Sequence, residues 1–165
     1  MSVATRRIWT ITQTITRPAN ATQYTAGDGV STAAGAVLTF AGVAPFAGMG
    51  GRINSLYVHK TKQDETTAAF DLNLFDTTFV AAGVSDNDAV AITDAEWQTG
   101  IGFVEMLAAD WRDVKTGSMW HKTNLDLTYI CAADSTSLFG AMIARGTYTP
   151  ASGEVITIRM SGEVY

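Results

Sequence analysis

Alternation with a period of two runs through this chain and constrains its fold more than any other feature. Across residues 8–16, Trp9, Ile11 and Ile15 fall on one face, and Thr10, Thr12 and Thr14 on the other. Phe70-Asp71-Leu72-Asn73-Leu74 and Leu125-Asp126-Leu127-Thr128-Tyr129 alternate most cleanly, and Ile156, Ile158 and Met160 interleave with Val155, Thr157 and Arg159. Each segment predicts a strand with one dry and one wet face, the habit of antiparallel sheets. Residues 52–60, 100–107 and 138–148 are apolar on both faces. That predicts burial on both sides, in a sandwich or under a neighbouring subunit.

Breakers separate these runs at 18–29, 42–51, 83–88, 110–117 and 150–153. Thr93-Asp94-Ala95-Glu96 fits a capping box and predicts one or two helical turns, ending by Gly100. About eight short strands with long loops predict an all-β fold, an antiparallel β-sandwich of the jelly-roll kind with at most one short helix. An immunoglobulin-like sandwich is the alternative, though its Cys…Trp…Cys pattern is missing. No composition shift divides the 165 residues, so a single domain is expected over 8–165. Residues 1–7 precede the first periodic run, lack an apolar repeat and predict a flexible arm.

Only 16% of residues are charged, against about 25% in soluble domains. The polar surface must come from Thr, Ser, Asn, Gln and backbone, or part of it must face other subunits, whose contact cores are depleted of Lys, Glu and Asp. The net charge of −5 argues against a nucleic-acid partner. No apolar run approaches the ~18–20 residues that span a bilayer, so no membrane partner is expected. Thr10, Thr12, Gln13 and Thr14 interrupt what a secretory leader would keep apolar. The single Cys131 has no partner for an internal disulfide and reads as a core thiol.

No motif carries catalysis. Ser85-Asp86-Asn87 and Lys115-Thr116-Gly117 spell two strings of the serine β-lactamases, but the Ser-x-x-Lys nucleophile is missing. The acidic run Asp86-Asn87-Asp88, with Asp94, offers oxygen ligands for Ca²⁺, yet Asp and Asn there are better explained as turn formers. His59 and His121 lack a zinc spacing. No cofactor, metal or enzymatic activity is therefore expected. Two features offer contact surfaces instead: the basic pair Arg6 and Arg7 in the arm, and Trp111 and Trp120 in predicted loops, for which core packing is the default and sugar or subunit contact the alternative.

Three strings, in order, carry a family resemblance. They are Ile15-Thr16-Arg17-Pro18-Ala19-Asn20-Ala21-Thr22-Gln23-Tyr24-Thr25-Ala26-Gly27-Asp28; residues 70–79 with Phe-x-Leu-x-Leu-Phe-Asp; and Ser85-Asp86-Asn87-Asp88-Ala89 through Thr93-Asp94-Ala95-Glu96 to residues 100–105. Together they cover roughly residues 8–105 and resemble tailed-bacteriophage virion proteins of the capsid decoration, or cement, type. The resemblance implies a β-sandwich on the outer surface of the capsid, made in the bacterial host cytoplasm. It implies the major capsid (coat) protein as partner, and a homotrimer that ties coat subunits together. The family has no catalytic residues to carry over. Its Arg-Pro corner matches Arg17 and Pro18, which join Arg6, Arg7, Trp111 and Trp120 as candidates for capsid or subunit contact. The competing expectation is a carbohydrate-binding module of a phage tail or fibre, with Trp111 and Trp120 stacking on sugar faces.

Overall fold

The computed structural model describes residues 7–63 and 68–165. Its strands are β1 (Arg7–Thr16), β2 (Leu38–Phe40), β3 (Gly50–Lys60), β4 (Phe70–Phe75), β5 (Gly100–Met106), β6 (Arg112–Val114), β7 (Gly117–Ile130), β8 (Leu138–Ala144) and β9 (Val155–Val164). One sheet has the order β1-β9-β3-β7-β6 and the other β2-β8-β4-β5. Apart from the three-residue β6, the strands pair from the chain ends inward. β1 pairs with β9, β2 with β8, β3 with β7 and β4 with β5, all antiparallel. The chain is thus one long antiparallel ribbon, rolled until β9 also meets β3 and β8 also meets β4. That nesting is the jelly roll, as the alternation and long crossing loops lead one to expect.

The alternating strands place their faces as predicted. Trp9 and Ile15 are buried on β1, Phe70, Leu72 and Leu74 on β4, and Ile156, Ile158 and Met160 on β9. Leu125 and Leu127 pack against the same core more loosely, beside buried Tyr129. There β7 bulges: Asn124 and Asp126 take positive φ of 55° and 52° where β3 shifts register between Ile53 and Ser55. The Trp9 indole donates to the Tyr129 hydroxyl at 3.0 Å, which donates to the Val43 carbonyl at 2.7 Å. Burial pushes the Tyr129 pKa up to about 12.

The three segments expected to be buried on both faces behave differently. On β3, Ile53, Leu56 and Val58 are buried while Arg52, Asn54, Tyr57 and His59 lie half-buried on the outer face. On β5, Val104 and Met106 are buried but Phe103 is exposed. Only β8 is covered on both sides, because residues after β4 fold back over it. Phe75, Phe79, Val84 and Ile92 form a second cluster with Ala141 on the outside of that sheet.

Among the described residues the one α-helix, α1 (Asp94–Trp97), starts at the expected capping box. Thr93 Oγ1 accepts from the Glu96 backbone N–H, and Glu96 accepts from the Thr93 N–H. Among the described residues, no helix is long and apolar enough to cross a membrane.

Candidate functional site

Where β1 ends, the chain turns through Arg17 and Pro18 into a polar knot. The Arg17 guanidinium is buried against Asp86, with Nη2–Oδ2 at 2.8 Å and Nε–Oδ1 at 3.1 Å. Arg17 Nε also contacts the Tyr24 hydroxyl, which donates to Asp86, and the Ser31 backbone N–H donates to Asp86 Oδ1 at 3.2 Å. Burial would lower the Arg17 pKa, but the Asp86 hydrogen bond and the charges around it hold it above its ordinary value. Burial, aided by the Asp86 hydrogen bond, likewise raises the Tyr24 phenol. Backbone bonds tie the same segments together. Gly29 N–H donates to Asp88 O at 2.9 Å, Asn87 N–H to Gly29 O at 2.9 Å, and Val90 N–H to Gly27 O at 3.0 Å. At Gly29 the approach is so close that a Cβ would sit 2.7 Å from the Ser85 carbonyl oxygen. The first and third strings of the resemblance are therefore neighbours in space, joined by a buried, two-point ion pair.

A second polar group lies beside it. Tyr148 Oη donates to the Glu154 carboxylate at 2.7 Å, and the Lys62 N–H donates to Glu154 Oε1 at 3.2 Å. Lys60, fully buried, stands over the rings of Trp111 and Tyr148 at 5.3 and 5.1 Å. Burial raises the Glu154 pKa, outweighing the lowering pull of Tyr148, Lys60, the Lys62 N–H and Arg17. The folded chain thus binds this proton more tightly than the unfolded one. The stability it contributes is lost as pH rises from the ordinary glutamate value of 4.5 through the raised folded value. In Glu154→Gln that pH dependence should vanish, so wild type should lose stability relative to the variant across that window. Parallel pH profiles in urea unfolding would contradict this assignment.

The contact candidates read from sequence fall in unlike places. Trp111 and Trp120 are not on loops facing solvent; they are 0% and 2% exposed. Trp111 packs edge-on against Phe70, just ahead of the β6–β7 hairpin that occupies the expected breaker at 110–117. Trp120 sits on an inward-facing position of β7. Neither side chain can stack on a sugar or reach another subunit. Arg17 is also internal, and its guanidinium serves Asp86 and Tyr24 rather than a partner. Pro18 is half-buried, and its carbonyl accepts from the N–H groups of Asn20 and Gly153 at 2.8 and 3.0 Å. It is a corner of the fold. Arg6 and the rest of the 1–6 part of the expected arm lie outside the described residues; Arg7 opens β1, exposed and opposite Val164.

Asp86 spends its oxygens on Arg17, Tyr24 and Ser31. Among the described residues, no group of three or more His, Cys, Asp or Glu side chains could hold a metal ion. Cys131 is buried, and burial raises its thiol pKa.

The sequence reading allowed an outward apolar face on residues 100–107 but did not single out the side chains that form apolar surface. Phe103 is 61% exposed, Ile130 68%, Tyr165 54% and Trp97 39%. Trp97 and Phe103 line a hollow of about 230 Å³ beside β4 and β5. Ile130 and Tyr165 flank another, of about 360 Å³, floored by Gly50 and Gly51 of β3. The available signal was phase: Phe103 alternates with Val104 and Met106, so one of the two sets had to face outward.

No protein-family model and no curated protein matches the chain. Among solved structures, the chain is similar to one from tomato aspermy virus, at 8% identity and a TM-score of 0.30, covering 98% of this chain and 79% of that one. It is similar to a chain of mud crab tombus-like virus at 10% identity and a TM-score of 0.34, covering 99% and 90%. It is also similar to the K1 cleaved adhesin domain of Lys-gingipain from Porphyromonas gingivalis, at 14% identity and a TM-score of 0.37, covering 96% and 89%. The jelly-roll assignment rests on the strand order, not on these likenesses.

Proposed function

We propose that this chain is a virion structural protein of the capsid decoration type. In this reading it is non-catalytic, binds the coat protein on the outside of the shell, and acts as a homotrimer. The observation that carries the reading is the meeting of the first and third family-like strings at the Arg17–Asp86 pair. Two strings nearly seventy positions apart hold one knot in this chain, which supports reading them together as one feature. Low charge content and exposed apolar side chains on a jelly roll fit a subunit built for contact. The carbohydrate alternative loses its platform with Trp111 and Trp120 inside the core. Cryo-electron microscopy of virions from the source tests the proposal. Density fitting this sandwich outside the shell, at three-fold positions, is the expected result. Its absence from the particle, or a place inside the shell, would overturn the reading.

A further inference from the structure

The outer face of the five-stranded sheet is laid out in rows that the strand registers define. Leu56, Val58, Trp120, Ile158 and Met160 point into the core, so their strand neighbours Tyr57, His121 and Arg159 point out. Pairing sets these three on one line with Thr12: β1, β9, β3 and β7 supply Thr12, Arg159, Tyr57 and His121 in turn. Thr10, Ser161, Ser55 and Thr123 form the row on one side, and Thr14, Thr157, His59 and Met119 the row on the other. None of these residues is acidic, in a chain with sixteen acidic and eleven basic residues.

The middle row is held by its own planar groups. The Arg159 guanidinium lies over the Tyr57 ring at 5.1 Å, and His121 meets the same ring edge-on at 6.1 Å. Among the described residues no carboxylate pairs with Arg159, whereas Arg52 is paired with Asp126 at 2.8 Å and Arg145 with Asp71 and Glu105. A guanidinium, a phenol and an imidazole side by side offer N–H and O–H donors around a positive charge. The group on a protein surface that accepts such a set is a carboxylate. These donors are spread across neighbouring strands and line neither of the hollows described above. Small molecules bind in concave pockets, so a flat patch of this kind fits a protein surface instead. The net charge of −5 weighs against nucleic acid as the anionic partner.

We propose that this row docks on carboxylates of the coat protein, which rests on the coat-binding part of the reading above. Arg159→Glu and His121→Glu test it, since both side chains are exposed and lie outside the core. Lys115→Glu, at the β6–β7 turn, makes the same charge change as Arg159→Glu away from the row. Each protein is titrated onto shells lacking the chain, at two salt concentrations. Wild type and Lys115→Glu should bind alike, within about twofold, and both more weakly at the higher salt. Arg159→Glu and His121→Glu should each bind about tenfold or more weakly, with melting temperature and sedimentation unchanged. Wild-type affinity in both row variants would overturn the proposal and leave coat binding standing; a wild type that does not bind would overturn both. An equal loss in Lys115→Glu would trace the effect to net charge and overturn it as well. Altered sedimentation of Arg159→Glu would assign the face to a second copy, and wild-type retention on duplex DNA that Arg159→Glu abolishes would assign it to nucleic acid. Either result would overturn the proposal.

Discussion

Asp86→Ala is expected to lower the unfolding free energy by about 3–5 kcal/mol, the scale for removing one partner of a buried ion pair. The loss comes less from the attraction forfeited than from what stays behind. Arg17 has no exposed side-chain surface, so without Asp86 its guanidinium would be stranded in a poorly solvating site, and Tyr24 and the Ser31 N–H would lose their acceptor. Arg17→Ala should cost a similar amount, and the double variant clearly less than the sum, since the second removal relieves the stranded partner. Urea unfolding of the four proteins measures this. A loss of only about 0.5–2 kcal/mol for Asp86→Ala, the scale of a lone turn or capping group, would mean that the pair does not hold the loops.

Trp111→Ala should cost about 3–5 kcal/mol, as for a large aromatic taken from a packed core. The indole fills space between Phe70 and the buried Lys60, and alanine would leave a cavity beside an ammonium that the ring now faces. The same experiment separates the two places a tryptophan here could occupy. A surface platform would cost within about 0.5 kcal/mol, and such a value would return Trp111 to the surface.

Much of the fold was legible because alternation is a local signal. Phe70, Leu72 and Leu74 announce the inner face of β4 within five residues, and Thr93 and Glu96 announce the start of α1 within four. Even the order of the breakers, with long crossings, led to the jelly roll. The three-residue strands β2 and β6 escaped because a strand that short has no period to detect. Trp111 and Trp120 stayed open between core and contact for another reason: near a turn signal, neighbouring residues do not tell whether a ring points in or out. The segment 52–60 looked doubly apolar because Tyr57 and His59 count as large side chains, although both belong half-buried on an outer face.

The knot lay beyond any local reading. Arg17, Tyr24 and Asp86 are ordinary residues in ordinary turns, and nothing near Asp86 names Arg17 as its partner. The family resemblance pointed to both strings but left Arg17 only as a candidate for contact with other molecules. The structure gives it an internal task. The apolar faces were hidden differently: hydrophobic residues on β5 and β7 count toward a core until the registers put Phe103 and Ile130 outside.

A decoration protein, as proposed for this chain, grips the capsid from outside and strengthens it. Particles lacking the chain, titrated with the purified protein, test that claim most directly through bound copies per particle and the temperature at which the shells break. Binding should saturate at a multiple of three copies, with decorated shells surviving to a higher temperature than bare ones. Absence of binding, or binding that leaves the breaking temperature unchanged, would contradict it.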